Sequence, residues 1–185
     1  MNKTVLLTLL LFGSCFGSNE NVPYRALMSV CYTEDLTTIS LDDGSVWKTK
    51  DYPSCAEANI WKKNDPILIY PSKTCFVKEK YSLYNERLRS FSHVDLSLPS
   101  DSTLPTFLSI SSIEDNSNMV ILKNSSEEQF QFEVSPKAEF NWENGEAVIL
   151  GWNGNMGPGN DLKFPFIIIN TSEKNFIKTN YLKKL

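Results

Sequence analysis

Matching residues recur along this 185-residue chain at a constant separation of 81 positions. The recurring pairs include two tryptophans, Trp61 and Trp142, with aliphatic and hydroxyl residues around them. These flanking pairs are Leu41 with Leu122, Ser54 with Ser135, Ile67 with Val148, and Ile69 with Leu150. Self-similarity at a fixed period is typical of one folding unit that is present twice. The sequence therefore predicts an internal duplication, with roughly 80 residues in each unit.

The units show the alternation of apolar and polar residues that is typical of half-buried β-strands. In the first unit Met28, Val30 and Tyr32 alternate with Ser29 and Cys31, which predicts a strand with one apolar face. Turn signals separate such segments at short intervals, and no stretch of the chain shows a clear helical period. We therefore predict an all-β fold of two tandem small β-barrel or sandwich units, with about six strands in each.

The boundaries of these units follow from composition. The polar segment that runs from Pro99 to Pro105 has no periodicity, which favours a linker. At the other end of the second copy, Phe166–Asn170 matches Tyr81–Asn85 at a separation of 85. The predicted organisation is a signal peptide over 1–17, a leader over 18–25, a first β unit over 26–98, a linker over 99–105 and a second β unit over 106–185.

The first seventeen residues have the features of an export signal: Lys3, then a short apolar run, then small residues. Two processing routes are open. Cleavage after Gly17 would place small residues, Cys15 and Gly17, at the −3 and −1 positions that signal peptidase recognises. Alternatively, Phe12–Cys15 resembles a lipoprotein signal in which Cys15 becomes acylated. Either route places the mature chain outside the cytoplasm, where disulfides form.

Charge limits the range of partners. The formal net charge is −4, and no cluster of lysine and arginine occurs. Nucleic acids and anionic lipid surfaces are recognised by basic patches, so we expect neither to be a partner. A membrane contact is expected only through a lipid anchor on Cys15. The partner that remains to be considered is a protein or a glycan.

Few residues of this sequence are suited to metal binding or nucleophilic catalysis. His93 is the single histidine, and the cysteines beyond the signal are Cys31, Cys55 and Cys75. Zinc sites take three or four cysteine, histidine or carboxylate ligands and favour the first two, so we predict no metal site and no cofactor. His93 and Asp95 fall on the same face of a predicted strand, which indicates a surface pair. We predict no catalytic residue.

Two cysteines have the pattern of a disulfide. Cys55 and Cys75 both lie in the first unit, and neither has a cysteine counterpart in the second. A joint absence favours a bond between the two. The bond would close a loop of about 20 residues and contribute about 3 kcal/mol to stability.

A glycine- and asparagine-rich loop coincides with four residues that are additional in the second unit. This loop, Gly151–Asn160, lacks the lysine and the following helix of a phosphate-binding loop. One interpretation is a long hairpin connection. The alternative is a ligand-binding loop, because exposed aromatic and amide side chains are common at recognition sites. The candidate ligand-binding residues are Trp152, Asn153, Asn155 and Met156.

A sequence resemblance covers most of the first unit and, more faintly, the second. Its pattern is Leu41-x-Asp43-Gly44-Ser45-x-Trp47, then Trp61-x-x-x-Asp65-x-Ile67-x-Ile69, then Tyr81-x-Leu83-x-Asn85. This pattern resembles that of uncharacterised exported proteins of Chlamydia-like bacteria. The resemblance implies a β fold and export, and it carries over no catalytic residue.

These observations favour an exported, non-enzymatic binding or interaction protein of the cell envelope, located in the periplasm, anchored to the envelope or secreted. The duplication repeats core residues without repeating any reactive constellation. Two alternatives stay open. One is a purely structural envelope protein, and the other is an envelope hydrolase with a carboxylate or cysteine site.

Overall fold

The computed structural model describes residues 25–33, 36–49, 52–72, 79–114, 117–136, 138, 140–153 and 163–185. This part of the chain contains twelve β-strands and one short helix. The first half comprises β1 (Arg25–Thr33), β2 (Leu36–Leu41), β3 (Val46–Thr49), α1 (Tyr52–Ala58), β4 (Pro66–Pro71), β5 (Tyr81–Asn85) and β6 (Ser90–Leu98). The second half comprises β7 (Leu108–Glu114), β8 (Met119–Asn124), β9 (Gln129–Val134), β10 (Ala147–Trp152), β11 (Phe166–Asn170) and β12 (Asn175–Lys184). The predicted signal peptide and almost all of the leader lie outside the described residues; β1 begins at Arg25, the last residue of the leader.

The strands form two closed antiparallel barrels with the same topology. Barrel 1 has the strand order β1-β2-β3-β6-β5-β4, and barrel 2 has the corresponding order β7-β8-β9-β12-β11-β10. In each barrel three strands linked in sequence are followed by a fourth that returns beside the first, which is a Greek-key arrangement. The last strand then pairs with the third and closes the ring. The all-β prediction with two duplicated units is confirmed.

The two repeated tryptophans have equivalent surroundings, as the duplication requires. Trp61 and Trp142 are each 6% exposed. The indole Nε1 of Trp61 donates a hydrogen bond to Ser90 Oγ, and that of Trp142 donates one to Asn175 Oδ1, both at 2.9 Å. Ser90 and Asn175 are the first residues of β6 and β12. A buried indole N–H needs a partner, and both barrels supply it from the same point in the fold.

A carboxylate that accepts a hydrogen bond from a buried asparagine is also repeated. In barrel 1, Asn85 Nδ2 donates to Asp65 Oδ2 at 2.7 Å, and the Lys62 amide donates to the same oxygen. In barrel 2, Asn170 Nδ2 donates to Glu146 Oε2 at 2.7 Å, and the amide of Glu143 donates to that oxygen. Both asparagines are fully buried. Each pair therefore joins the end of one strand to the turn before another, where an unpaired polar group would be destabilising.

Strand pairing shows which residues of the first strands are equivalent and which residue corresponds to Trp47. Leu27 and Ile110 occupy the same place, because each exchanges backbone hydrogen bonds with the turn that follows the repeated tryptophan. A β-bulge follows Leu27, so Met28 and Tyr32 are exposed, and the prediction that they form an inward apolar face is wrong. Trp47 lies opposite Ile39, and its counterpart in barrel 2 is Phe132, which lies opposite Val120.

The constant separation of 81 conceals two length changes that compensate each other. The counterpart of Thr49 is Val134, which is 85 positions later, because the paired arms of the β8–β9 hairpin are each two residues longer than those of the β2–β3 hairpin. The separation returns to 81 at Trp61 and Trp142. The connection that leads from the third strand to the tryptophan is therefore four residues shorter in barrel 2.

Equivalent strands face each other between the barrels. β4 and β10 are in contact, and Ile149, Ile167 and Ile169 of barrel 2 join the hydrophobic core of barrel 1. A Cβ atom added to Gly151 would lie 2.7 Å from the carbonyl oxygen of Ile69. Only glycine permits this close approach of two backbones. The two barrels therefore share a buried apolar interface, which adds to what a unit of this size buries alone.

Candidate functional site

The predicted binding loop begins from a firmly packed base. Trp152 is half-buried at the end of β10, and its ring meets the ring of Phe166 edge to face at a centroid distance of 5.3 Å. The Asn153 side chain is buried and donates from Nδ2 to the Phe164 carbonyl oxygen at 2.9 Å. These two side chains hold the ends of the loop together. Asn155 and Met156 lie outside the described residues, and the binding role of the loop stays a prediction.

The structure describes two of the four cysteines, Cys31 and Cys55. Cys55 lies on α1 with its sulfur buried 3.6 Å from the carbonyl oxygen of Thr49, and it forms no disulfide with another described cysteine. Cys31 is free and exposed. Cys75 and Cys15 lie outside the described residues. The bond between Cys55 and Cys75 and the acylation of Cys15 both stay predictions.

His93 is engaged with serines rather than with Asp95. Its Nδ1 lies 2.8 Å from Ser82 Oγ, which in turn lies 3.1 Å from Ser72 Oγ. A serine beside a histidine is the spacing of a nucleophile and its base. Ser82 is only 5% exposed, however, so its oxygen is not presented to a substrate. We interpret the group as a polar link across the strands of barrel 1.

A cavity of about 730 Å³ lies at one end of barrel 2. We call it the barrel-2 pocket. It is formed where β7, β9 and the turn between β11 and β12 come together. Its described lining combines five apolar and five polar residues: Ile113, Met119, Val134, Ala138 and Phe140, with Glu114, Asn118, Asn141, Glu173 and Asn175. A second depression of about 420 Å³ shares Ile113, Phe140 and Asn141 with it and extends past Trp142 to Glu143 and Asn144.

The corresponding end of barrel 1 is covered by α1. This helix packs on β2 and β6, and Ala58 enters the hydrophobic core. Cys55 of α1 contacts Thr49, and the counterpart of Thr49 in barrel 2 is Val134, which lines the pocket. In the shorter connection of barrel 2, the Ala138 amide donates a hydrogen bond to the Ser135 carbonyl oxygen at 2.9 Å. The pocket therefore occupies the place that α1 fills in barrel 1.

The side chains around the pocket also differ in chemistry from those of barrel 1. Leu88 packs against the core of barrel 1, and Glu173 stands at the corresponding position of the pocket. Phe140 forms one wall and packs on Trp142, with the ring centroids 5.0 Å apart. Ser117 Oγ donates to Glu114 Oε2 at 2.8 Å and holds that carboxylate in place. The result is an apolar floor and an aromatic wall below a polar rim.

Among the described residues, no group of three or more His, Cys, Asp or Glu side chains is placed to hold a metal ion. The same part of the chain contains no helix with the length and apolar character of a transmembrane span. Comparison of the chain with protein-family models, with curated proteins and with solved structures finds no match. Function is therefore inferred from the geometry of the barrel ends.

The sequence patterns did not indicate the pocket. Its residues come from five separate segments and share no motif. One signal was available: the separation of Trp47 from its aromatic counterpart exceeds 81, which requires a shorter connection afterwards. A connection that is shorter in one copy of a duplicated barrel indicates the end at which the two barrels differ.

Proposed function

We propose that this chain is an exported, non-enzymatic binding protein of the cell envelope, and that it binds a protein or glycan partner in the barrel-2 pocket. One observation carries the proposal: the same barrel end is filled by α1 in the first copy and forms a cavity of about 730 Å³ in the second. Ligand cavities in proteins typically measure about 300–1,000 Å³ and combine apolar walls with a few polar groups.

The duplicated scaffold supports this role. Barrel 1 and the shared interface supply stability, because they bury a continuous core that includes residues of both halves. Barrel 2 can then leave one end uncovered without losing its own core. The pocket walls belong to strands and tight turns, and rigid elements position binding groups better than long loops do.

Blocking the pocket should abolish partner capture. Asn141 lines the pocket and is exposed, so Asn141→Trp would fill the opening without removing a core contact. We expect the Asn141→Trp variant to bind at least about tenfold less partner than wild type does in pull-downs from envelope or host extracts. The matched control is Asn59→Trp, an exposed position at the covered end of barrel 1. Equal capture by wild type and by both variants would refute a role for the pocket.

The glycine-rich loop is proposed as a further contact. Trp152 and Asn153, the described residues at its start, follow the end of β10, whereas the connection that precedes β10 lines the pocket. Trp152→Ala would disturb the packing on Phe166, so it does not test binding alone. Deletion of residues 154–159 leaves Trp152 and Asn153 in place and is the informative change.

Export and processing are proposed from the sequence. The charged start and the apolar run support export, and the resemblance to exported proteins of Chlamydia-like bacteria supports the same location. We expect cleavage after Gly17, so metabolic labelling with palmitate should leave the protein unlabelled. Label that appears in wild type and disappears in Cys15→Ala would instead establish acylation. The bond between Cys55 and Cys75 belongs to the same proposal, because it requires an oxidising compartment.

A hydrolase with a carboxylate site is the second candidate. Glu114 and Glu173 both line the pocket, and paired carboxylates are the groups that cleave glycosidic bonds. The two candidates differ in what happens to a bound glycan. A binding protein releases it intact, whereas a hydrolase releases shortened products that Glu114→Gln or Glu173→Gln eliminates.

A further inference from the structure

We propose that the barrel-2 pocket takes a positively charged group, an alkylammonium or a guanidinium, from its partner. The inference rests on the proposed function of this site and specifies its ligand chemistry. The group would enter between Glu114 and Glu173, with its carbon chain along the apolar floor and the face of Phe140.

The charges around the pocket favour a cation. Glu114 and Glu173 line the pocket, Glu143 lines the adjoining depression, and no lysine or arginine stands among the described lining residues of either. The described residues form no ion pair with these three glutamates. Residues that flank the lining in sequence but lie outside the description are Asp115, Asn116, Lys137 and Glu139, which add one basic and two acidic side chains. The stretches of sequence that contain the lining residues therefore carry a net negative charge.

The remaining lining groups suit the same ligand. An ammonium or guanidinium group is attracted to the face of an aromatic ring, and Phe140 offers such a face at the pocket wall. Amide oxygens of Asn118 and Asn141 are available as acceptors beside the carboxylates, and an ammonium group can donate three hydrogen bonds. The apolar residues Ile113, Met119 and Val134 would contact the methylene chain of a lysine or a similar amine.

A difference between equivalent positions, Leu88 in barrel 1 and Glu173 in barrel 2, also favours a cationic ligand. The same corner of the fold carries a leucine that seals barrel 1 and a glutamate that faces the cavity of barrel 2. Glu173 is exposed at the edge of the cavity, so its negative charge is accessible to an opposite charge on a ligand. A cationic ligand supplies that charge, and a neutral ligand does not.

Direct binding measurements on the full chain test the inference. The probes are cadaverine and agmatine, which carry ammonium and guanidinium groups, with 1,5-pentanediol as the neutral analogue of cadaverine. A terminally blocked Gly-Lys-Gly peptide and its ε-acetylated form distinguish a peptide source from a free amine. We expect the cations to bind at least about tenfold more tightly than their neutral analogues, by calorimetry or ligand-observed NMR. Raising the salt to about 1 M should weaken this binding, because the screening length falls to about 3 Å.

Charge-removing variants provide the second arm. Glu114→Gln combined with Glu173→Gln should weaken cation binding at least about tenfold and leave the diol unaffected. Glu57→Gln removes an exposed carboxylate from α1 of barrel 1 and should change nothing. Diol binding that equals cadaverine binding and is lost in Asn141→Trp would overturn the inference while the pocket remains a binding site. Absence of binding by every probe would also overturn it, and unchanged extract capture by Asn141→Trp would then refute the proposed function as well.

Discussion

Replacing either Trp61 or Trp142 by alanine should lower the free energy of unfolding by about 3–5 kcal/mol. Both side chains are 6% exposed, and both close one side of a barrel core. Alanine would leave a cavity in each case and would also leave the acceptor at the start of β6 or β12 without its indole donor. Urea denaturation followed by circular dichroism measures the effect. The two losses should agree within about 1 kcal/mol, because the surroundings are equivalent.

Trp152→Ala is the internal control for this pair. Trp152 is half-buried and has Phe166 as its ring partner, so its loss should be clearly smaller than that of either repeated tryptophan. A large effect at Trp61 with almost none at Trp142 would contradict the equivalence of the two barrels. Because the barrels share an interface, we also expect one cooperative transition rather than two.

Asp65→Asn should have the second largest effect on stability, about 2–3 kcal/mol. Asp65 Oδ2 accepts hydrogen bonds from the Lys62 amide, from Asn85 Nδ2 and from Arg87 Nη2 at 2.7–2.8 Å. An amide in place of the carboxylate would direct a donor toward these donors and would leave Arg87 without its ion pair. Arg87 is 41% exposed, so water limits the loss below that of a fully buried pair.

The same residue should produce a pH dependence of known sign. The Arg87 side chain, which donates to Asp65, holds the pKa of that carboxyl well below its usual range. A carboxyl group whose pKa is lower in the folded state contributes stability above its unfolded pKa, near 4, and loses that contribution as the pH falls toward the folded value. Wild type should therefore lose stability below about pH 4 more steeply than Asp65→Asn does. Parallel profiles for the two proteins would show that the ion pair makes no such contribution.

Glu146→Gln is the matched change in barrel 2. Glu146 accepts from the Glu143 amide and from Asn170, but Ser172 stands where barrel 1 has Arg87. Loss of a hydrogen-bonded carboxylate without an arginine partner should amount to about 1 kcal/mol. A loss at Glu146 that equals the loss at Asp65 would indicate that Arg87 adds little.

The fold could be predicted mainly from the residues that form the two cores. The period of 81 and the alternation of apolar residues predicted two β units, because burying the same side chains twice requires the same pattern twice. Register was harder to predict. The bulge after Leu27 moves Met28 and Tyr32 outward, and alternation alone contains no sign of a bulge. The equivalence of Trp47 and Phe132 is hidden from a fixed separation of 81, since an insertion and a deletion cancel between Leu41 and Trp61.

The candidate site could not be predicted from residue types. A catalytic motif can be recognised because its chemistry requires certain residues at certain spacings. A pocket forms where no side chain fills a volume, and no residue pattern records that. Aromatic and amide residues are concentrated in the loop after β10, and this composition predicts a binding loop there. The pocket instead follows from the length of the connection between β9 and β10, and its glutamates look like ordinary surface residues in the sequence.

The contact of β4 with β10 has an evolutionary consequence. Equivalent strands that meet across an interface are the arrangement of a homodimer with two-fold symmetry, in which each subunit offers the same patch to the other. A precursor with one barrel per polypeptide would have assembled in this way before its gene was duplicated and fused. Fusion removes the requirement that the two halves be identical, so one half can carry a helix at the barrel end where the other has a cavity.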